Sequence, residues 1–221
     1  MFFKRKKTLD FREYYPNSTL KVPESKELSD YPIIDSHIHL GPKYPRENFL
    51  QRYSIDEFVN MLKSNGVIHT IDLELFSEEY FKGVLEYIRG YEDFFSFCAP
   101  INLSDFEDPD FSNTMQSYMI DMAKNKSVCG FKIWKDLGLN LRRKNKSLAK
   151  INDPEFNTIW KTCENLNLPV VIHVADPIAF FQKADCHNER LEELMAYPMW
   201  NYSQSSEVRH EELIEQFSTV L

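Results

Sequence analysis

The sequence has no apolar run of membrane-spanning length, no Cys-x-x-Cys pair, no basic surplus, no internal repeat and no low-complexity tract. Each absence removes a class of function. A membrane span needs about 20 consecutive apolar residues. The basic start, Met1 to Lys7, has no apolar stretch behind it, so no export signal is expected. With 26 Lys and Arg against 34 Asp and Glu, the net charge of -8 argues against nucleic acid or an anionic membrane as the main partner, because both require a basic face. Cys98, Cys129, Cys163 and Cys186 lack the spacing of a zinc or redox motif. They read as reduced side chains in a cytoplasmic protein.

What remains is a chain of 221 residues, 43% apolar and 27% charged, of the size and balance of one globular domain. Residues 1–30 are polar with scattered aromatics, lack any helical or strand period, and are expected to lie as an arm on the surface of a domain spanning 31–221. Strand-like runs at Ile33 to Leu40, Val67 to Leu75, Phe94 to Ile101, Val128 to Trp134 and Val170 to Val174 alternate with helical patterns. The helix from Ser54 to Gly66 carries its own signals: Ser54 and Glu57 form a capping box, and Asn65-Gly66 is a stop. The others are placed near Glu78 to Arg89, Met115 to Lys124 and Glu155 to Asn165, with two more at Asn188 to Tyr197 and Glu207 to Phe217. Alternation of this kind implies an α/β fold built from βαβ units around a parallel sheet.

The first strand holds the main chemical signal. Side chains two apart in a strand share a face, so His37 and His39 of Ile33-Ile-Asp-Ser-His-Ile-His-Leu40 project together and can hold one metal ion. Such a pair also arises by chance, as two hydrogen-bonded imidazoles. The strand is apolar throughout and is expected to be buried on both faces. Far down the chain, Leu168-Pro-Val-Val-Ile-His-Val174 reads as another buried strand, ending in His173. Lys132 lies inside the apolar run Cys129-Gly-Phe-Lys-Ile-Trp-Lys135, where an unpaired ammonium is costly. Its amine either snorkels to solvent or is carboxylated to an oxygen donor for metal.

Taken together, Ile33 to Leu40, Gly130 to Lys135 and Val170 to Pro177 resemble the amidohydrolase superfamily, and most nearly its amidohydrolase-related (amidohydrolase 2) branch. That resemblance implies a TIM-type (β/α)8 barrel with a divalent ion, zinc in the first instance, at the carboxyl ends of the strands. His37, His39 and His173 match ligand positions, and Lys132 matches the ligand of the fourth strand, with Lys135 as its rival. The family's strand 6 histidine and strand 8 aspartate have no counterpart, so the chain reads as about five of the eight units. The implied activity is metal-dependent hydrolysis of a small molecule, activated water attacking a carbonyl, lactone or amide-type carbon. The alternatives are a metal-dependent non-oxidative decarboxylase of the same fold and an inactive truncated remnant. An open barrel edge further implies self-association.

Other polar residues have competing readings. His69 lies mid-strand, as a core or supporting imidazole. Asp176 before Pro177 suits a helix N-cap, while His187 and His210 fall where solvated side chains are expected. Arg142 and Arg143, after the fourth strand, can grip a substrate carboxylate, or belong with Lys144, Asn145 and Lys146 to a solvated turn.

Overall fold

A computed structural model of the chain describes residues 14–17, 31–40, 53–74, 78–174, 177–205 and 207–221. Five strands, β1 (Ile33–Ile38), β2 (Val67–Asp72), β3 (Phe95–Pro100), β4 (Val128–Ile133) and β5 (Val170–Ile172), pair in chain order as one parallel sheet. The sheet is curled into half a barrel. Helices α1 (Ile55–Ser64), α2 (Glu78–Tyr87), α3 (Phe111–Met122) and α4 (Asn157–Leu166) intervene between successive strands, and α5 (Leu191–Ala196) and α6 (His210–Ser218) follow β5. No helix among the described residues is long and apolar enough to cross a membrane.

Local sequence explains the element ends. Ser54 Oγ accepts the N–H of Glu57 while Glu57 Oε2 accepts the N–H of Ser54, so α1 opens with two of its orphan amides satisfied. Behind α1 the chain turns through Gly66, whose carbonyl accepts the N–H of Ile33 at 3.0 Å and ties the start of β2 to the start of β1. Asn167, left-handed at φ 53°, ends α4 before Leu168-Pro169 leads into β5. The helices cover one face of the sheet: Phe97, Phe131 and Ile133 from the strands are fully buried against Val59 of α1, Val84 of α2 and Ile159 of α4.

Burial on both faces, expected for the first and fifth strands, is not observed. Ile34 in β1 is 57% exposed, Ile68 in β2 is 54% exposed, and all three residues of β5 are only half-buried. The reason is topological. Among the described residues β1 and β5 each have one strand neighbour, whereas the central β4 is covered on both faces, Phe131, Lys132 and Ile133 being at most 2% exposed. Of the amino-terminal arm, residues 14–17 lie within the described structure. The amides of Tyr15 and Asn17 donate to the carbonyls of Cys186 and His187 at 2.9 Å, and the Tyr15 carbonyl meets His187 Nδ1 at 3.1 Å. His187 is therefore engaged by the arm instead of being merely solvated, and His210 packs edge-on against Phe181.

Candidate metal centre

β1 bends just where its histidines stand. Asp35 Oδ1 accepts the N–H of His37 at 3.2 Å, and the pairing of β1 with β2 slips between Asp35 and Ile38. The two imidazoles stay together across this irregularity. His37 Nε2 and His39 Nε2 are 3.2 Å apart, with the rings edge-on and their centroids 5.1 Å apart. A single ion bonded to both at ~2.0–2.1 Å would hold its nitrogens roughly 2.9–3.4 Å apart, the limits set by octahedral and tetrahedral angles. The pair has the spacing of two ligands to one ion. His37 is pushed below its ordinary pKa by desolvation first, then by the positive charges of His39, Lys132 and His173, against the opposing pull of Asp35. The neutral ring that results is the form that ligates metal.

Two carboxyl groups that the sequence reading did not single out lie beside the pair. Asp72 and Glu74, at the carboxyl end of β2, are 0% and 1% exposed. Asp72 Oδ1 accepts the amides of Leu40 at 3.4 Å and Glu74 at 3.0 Å, and so joins the chain after β1 to the chain after β2. Its other oxygen, Oδ2, is buried without a hydrogen-bond partner among the described residues. Desolvation raises the pKa of Asp72 to about 7, over the lowering effect of the two amides. Glu74 Oε2 stands 3.6 Å from His39 Nδ1, on the side of the ring remote from His37. At this distance the two form an ion-pair contact and not a hydrogen bond, and His39 Nδ1 has no hydrogen-bond partner among the described residues. The signal was present: two acids in an apolar strand carry the same desolvation penalty that made Lys132 conspicuous.

Lys132 is 2% exposed, in β4, paired with Pro100 of β3 and Val171 of β5. Burial draws its ammonium below the usual range. Lys135, its rival, places Nζ 4.8 Å over the ring of Trp200. His173 follows β5, its N–H donating to the Ile133 carbonyl at 3.0 Å and its ring meeting Trp134 edge-on at 5.4 Å. The fold thus brings His37 and His39 into contact, with Lys132 and His173 near enough for their charges to act on His37. Among the described residues, no group of three or more His, Cys, Asp or Glu side chains is placed to hold a metal ion.

No protein-family model matches this chain, and no curated protein matches it significantly.

The arginines after β4 are held by carboxylates of the chain. Arg143 donates to Glu155 at 2.6 Å and Asp153 at 2.7 Å and lies 5.5 Å from the Phe106 ring centroid; Arg142 donates to Glu207 at 2.5 Å. A substrate carboxylate would have to displace these partners. An open cavity of about 1300 Å³ is lined by Trp134 together with Tyr118, Asp105, Asp108 and Asp136, and by none of His37, His39, Lys132 and His173. Asp136 itself is exposed and accepts from Asn140 Nδ2 at 3.1 Å, as a turn residue does. Asp176 lies outside the described residues.

Proposed function

We propose that this chain is a metal-dependent hydrolase of the amidohydrolase type, with His37 and His39 as the two placed ligands of a divalent ion and with His173 and Lys132, which the described fold does not gather into one ligand group with them, completing its shell on binding. The observation that carries the reading is the 3.2 Å separation of His37 Nε2 and His39 Nε2 at the end of the first parallel strand. Zinc suits a donor set of imidazoles. When bound, such an ion lowers the pKa of water and polarises a carbonyl oxygen. The chain's own residues have separable tasks. Glu74 sets a carboxyl group 3.6 Å from His39 Nδ1, Asp72 fixes the backbone of both strand ends, and Trp134 packs edge-on against His173.

Zinc titration by calorimetry, on the chain and on a His37→Ala, His39→Ala variant, tests the site. The double variant is expected to lose more than the ~10–100-fold that removal of a mere supporting partner costs. Equal affinity in both proteins would remove the histidine pair from any metal site. Chelator-sensitive turnover of a panel of esters, lactones and amides then tests the reaction class.

A further inference from the structure

A hydroxyl and an imidazole meet across β2 and β3, away from the metal centre. Ile71 of β2 lies opposite Ser96 of β3, and His69 stands two residues before Ile71, so His69 and Ser96 share one face of the sheet. It is the inner face, because Phe97, the next residue along β3, is fully buried on the side that the helices cover. That face is open here. Ile34 of β1, the register partner of His69, is 57% exposed, and His69 and Ser96 are themselves half-buried.

The hydrogen bonds of His69 run in one direction. Nδ1 lies 3.1 Å from the carbonyl oxygen of Asp93, in the short helical turn Glu92–Phe94 that leads into β3, and Nε2 lies 3.0 Å from Ser96 Oγ. A carbonyl only accepts, so Nδ1 carries the proton of the neutral ring and Nε2 presents its lone pair to the Ser96 hydroxyl, which donates. A hydroxyl, a base, and a group that fixes the tautomer of the base follow one another in the order that activates a serine.

We propose that Ser96 is a nucleophile, with His69 as its base, that takes the acyl group of small aryl esters. Ser96 Oγ attacks the ester carbonyl carbon as its proton passes to His69 Nε2. The bond to the aryl oxygen then breaks, and the phenol leaves with that proton. Water attacks the acyl-Ser96 carbonyl, giving a proton to His69 Nε2; the carboxylic acid is released and Ser96 Oγ recovers the proton. The backbone limits the substrate class. The amides on either side of Ser96 are committed, Phe95 N–H to the Glu92 carbonyl and Phe97 N–H to the Ser127 carbonyl at 2.8 Å, so the developing oxyanion is left to water. A missing oxyanion donor costs about 10²–10³ in rate, which restricts the reaction to esters with a good leaving group and excludes amides. The exposed Ile34 side chain beside His69 offers apolar surface to a short acyl chain. None of His37, His39, Lys132 and His173 takes part, so the site stands or falls independently of the metal-dependent reading.

The experiment follows p-nitrophenyl butyrate on the whole chain, with and without a chelator, and then maps the acylated protein by peptide mass. A burst of about one equivalent of p-nitrophenol per chain is expected in both conditions, the mark of an acyl-enzyme. The butyryl group should sit on Ser96 as a hydroxylamine-labile ester, with none on Ser112, an exposed serine of α3 that serves as comparator. His69→Gln keeps a side chain able to hydrogen-bond Ser96 but removes the base, and should slow acylation of Ser96 by at least ~100-fold. The wild-type map needs no variant, so a misfolded substitution leaves the test intact. Butyryl groups on lysines or on Cys129 with none on Ser96, equal labelling of Ser96 and Ser112, or an undiminished rate in a folded His69→Gln chain would each overturn the proposal. Turnover that the chelator abolishes, with no ester at Ser96, would belong to the metal centre and would overturn it as well.

Discussion

Replacing Asp72 by Asn isolates the energetic consequence of burying a carboxyl group with one unpaired oxygen. In the unfolded chain this group ionises at its ordinary 3.8, whereas in the fold desolvation raises it to about 7. The folded state therefore holds the proton more tightly than the unfolded state over that interval. Stability from the protonated carboxyl is complete below pH 4 and is lost progressively as pH rises through 7. About three pH units at ~1.4 kcal/mol each give roughly 4 kcal/mol. Asn preserves the acceptor that receives the Leu40 and Glu74 amides and leaves a buried donor where the protonated acid also has one, so the two should match at low pH. Urea unfolding in the presence of a chelator, followed by circular dichroism from pH 4 to pH 8, should give an Asp72→Asn chain of near-wild-type stability at pH 4. By pH 8 the variant should be more stable than wild type by roughly 4 kcal/mol. All other titrating groups cancel in the difference between the two proteins. A difference that stays flat across this range would show that Asp72 is ionised at little cost, and would refute the desolvation argument.

Two further outcomes follow from the fold. Gly138, at φ +85°, would place a Cβ 2.7 Å from Leu213 Cδ2, so Gly138→Ala should cost about 2 kcal/mol and lower the melting temperature by roughly 4–8 °C; an unchanged melting curve would contradict it. Ile34 and Ile68 expose apolar side chains beside the unpaired edge of β1, so an Ile34→Lys, Ile68→Lys chain should stay monomeric at concentrations where the wild type scatters light as an associated species; equal scattering would place the association elsewhere.

The elements were legible because their signals are local. The capping box of Ser54 and Glu57 and the strand-helix alternation need only near neighbours in sequence, and the shared face of His37 and His39 follows from strand geometry alone. The parallel pairing was legible too; what was not is the burial and the register slips that particular pairings produce. Apolar composition made β1 look buried on both faces, yet burial depends on what lies beside a strand, and Ile34 faces an open side. The bulge at Cys129 has no composition of its own; it exists only as a slip in the register of β3 against β4. Asp72 and Glu74 were hidden for a different reason. Nothing beside them in sequence shows that the fold will bury them, and at 0% and 1% exposure each acid is as exceptional as Lys132.

The electrostatics of the proposed metal centre contain a tension that sets its affinity. Burial first, and then the charges of His39, Lys132 and His173, disfavour protonation of His37 and ready its lone pair, but positive charge on those neighbours would repel an arriving divalent cation. Compensation has to come from Asp35, Asp72 and Glu74, and of these Asp72 resists ionising because it is buried. Lys132 resists being charged for the same reason, and loss of its proton removes a repulsive centre without disturbing packing. Ion entry on this reading is coupled to proton release from Asp72. The site then holds its ion weakly at low pH and more tightly as pH rises, while the same rise withdraws the stabilisation that protonated Asp72 gives to the fold.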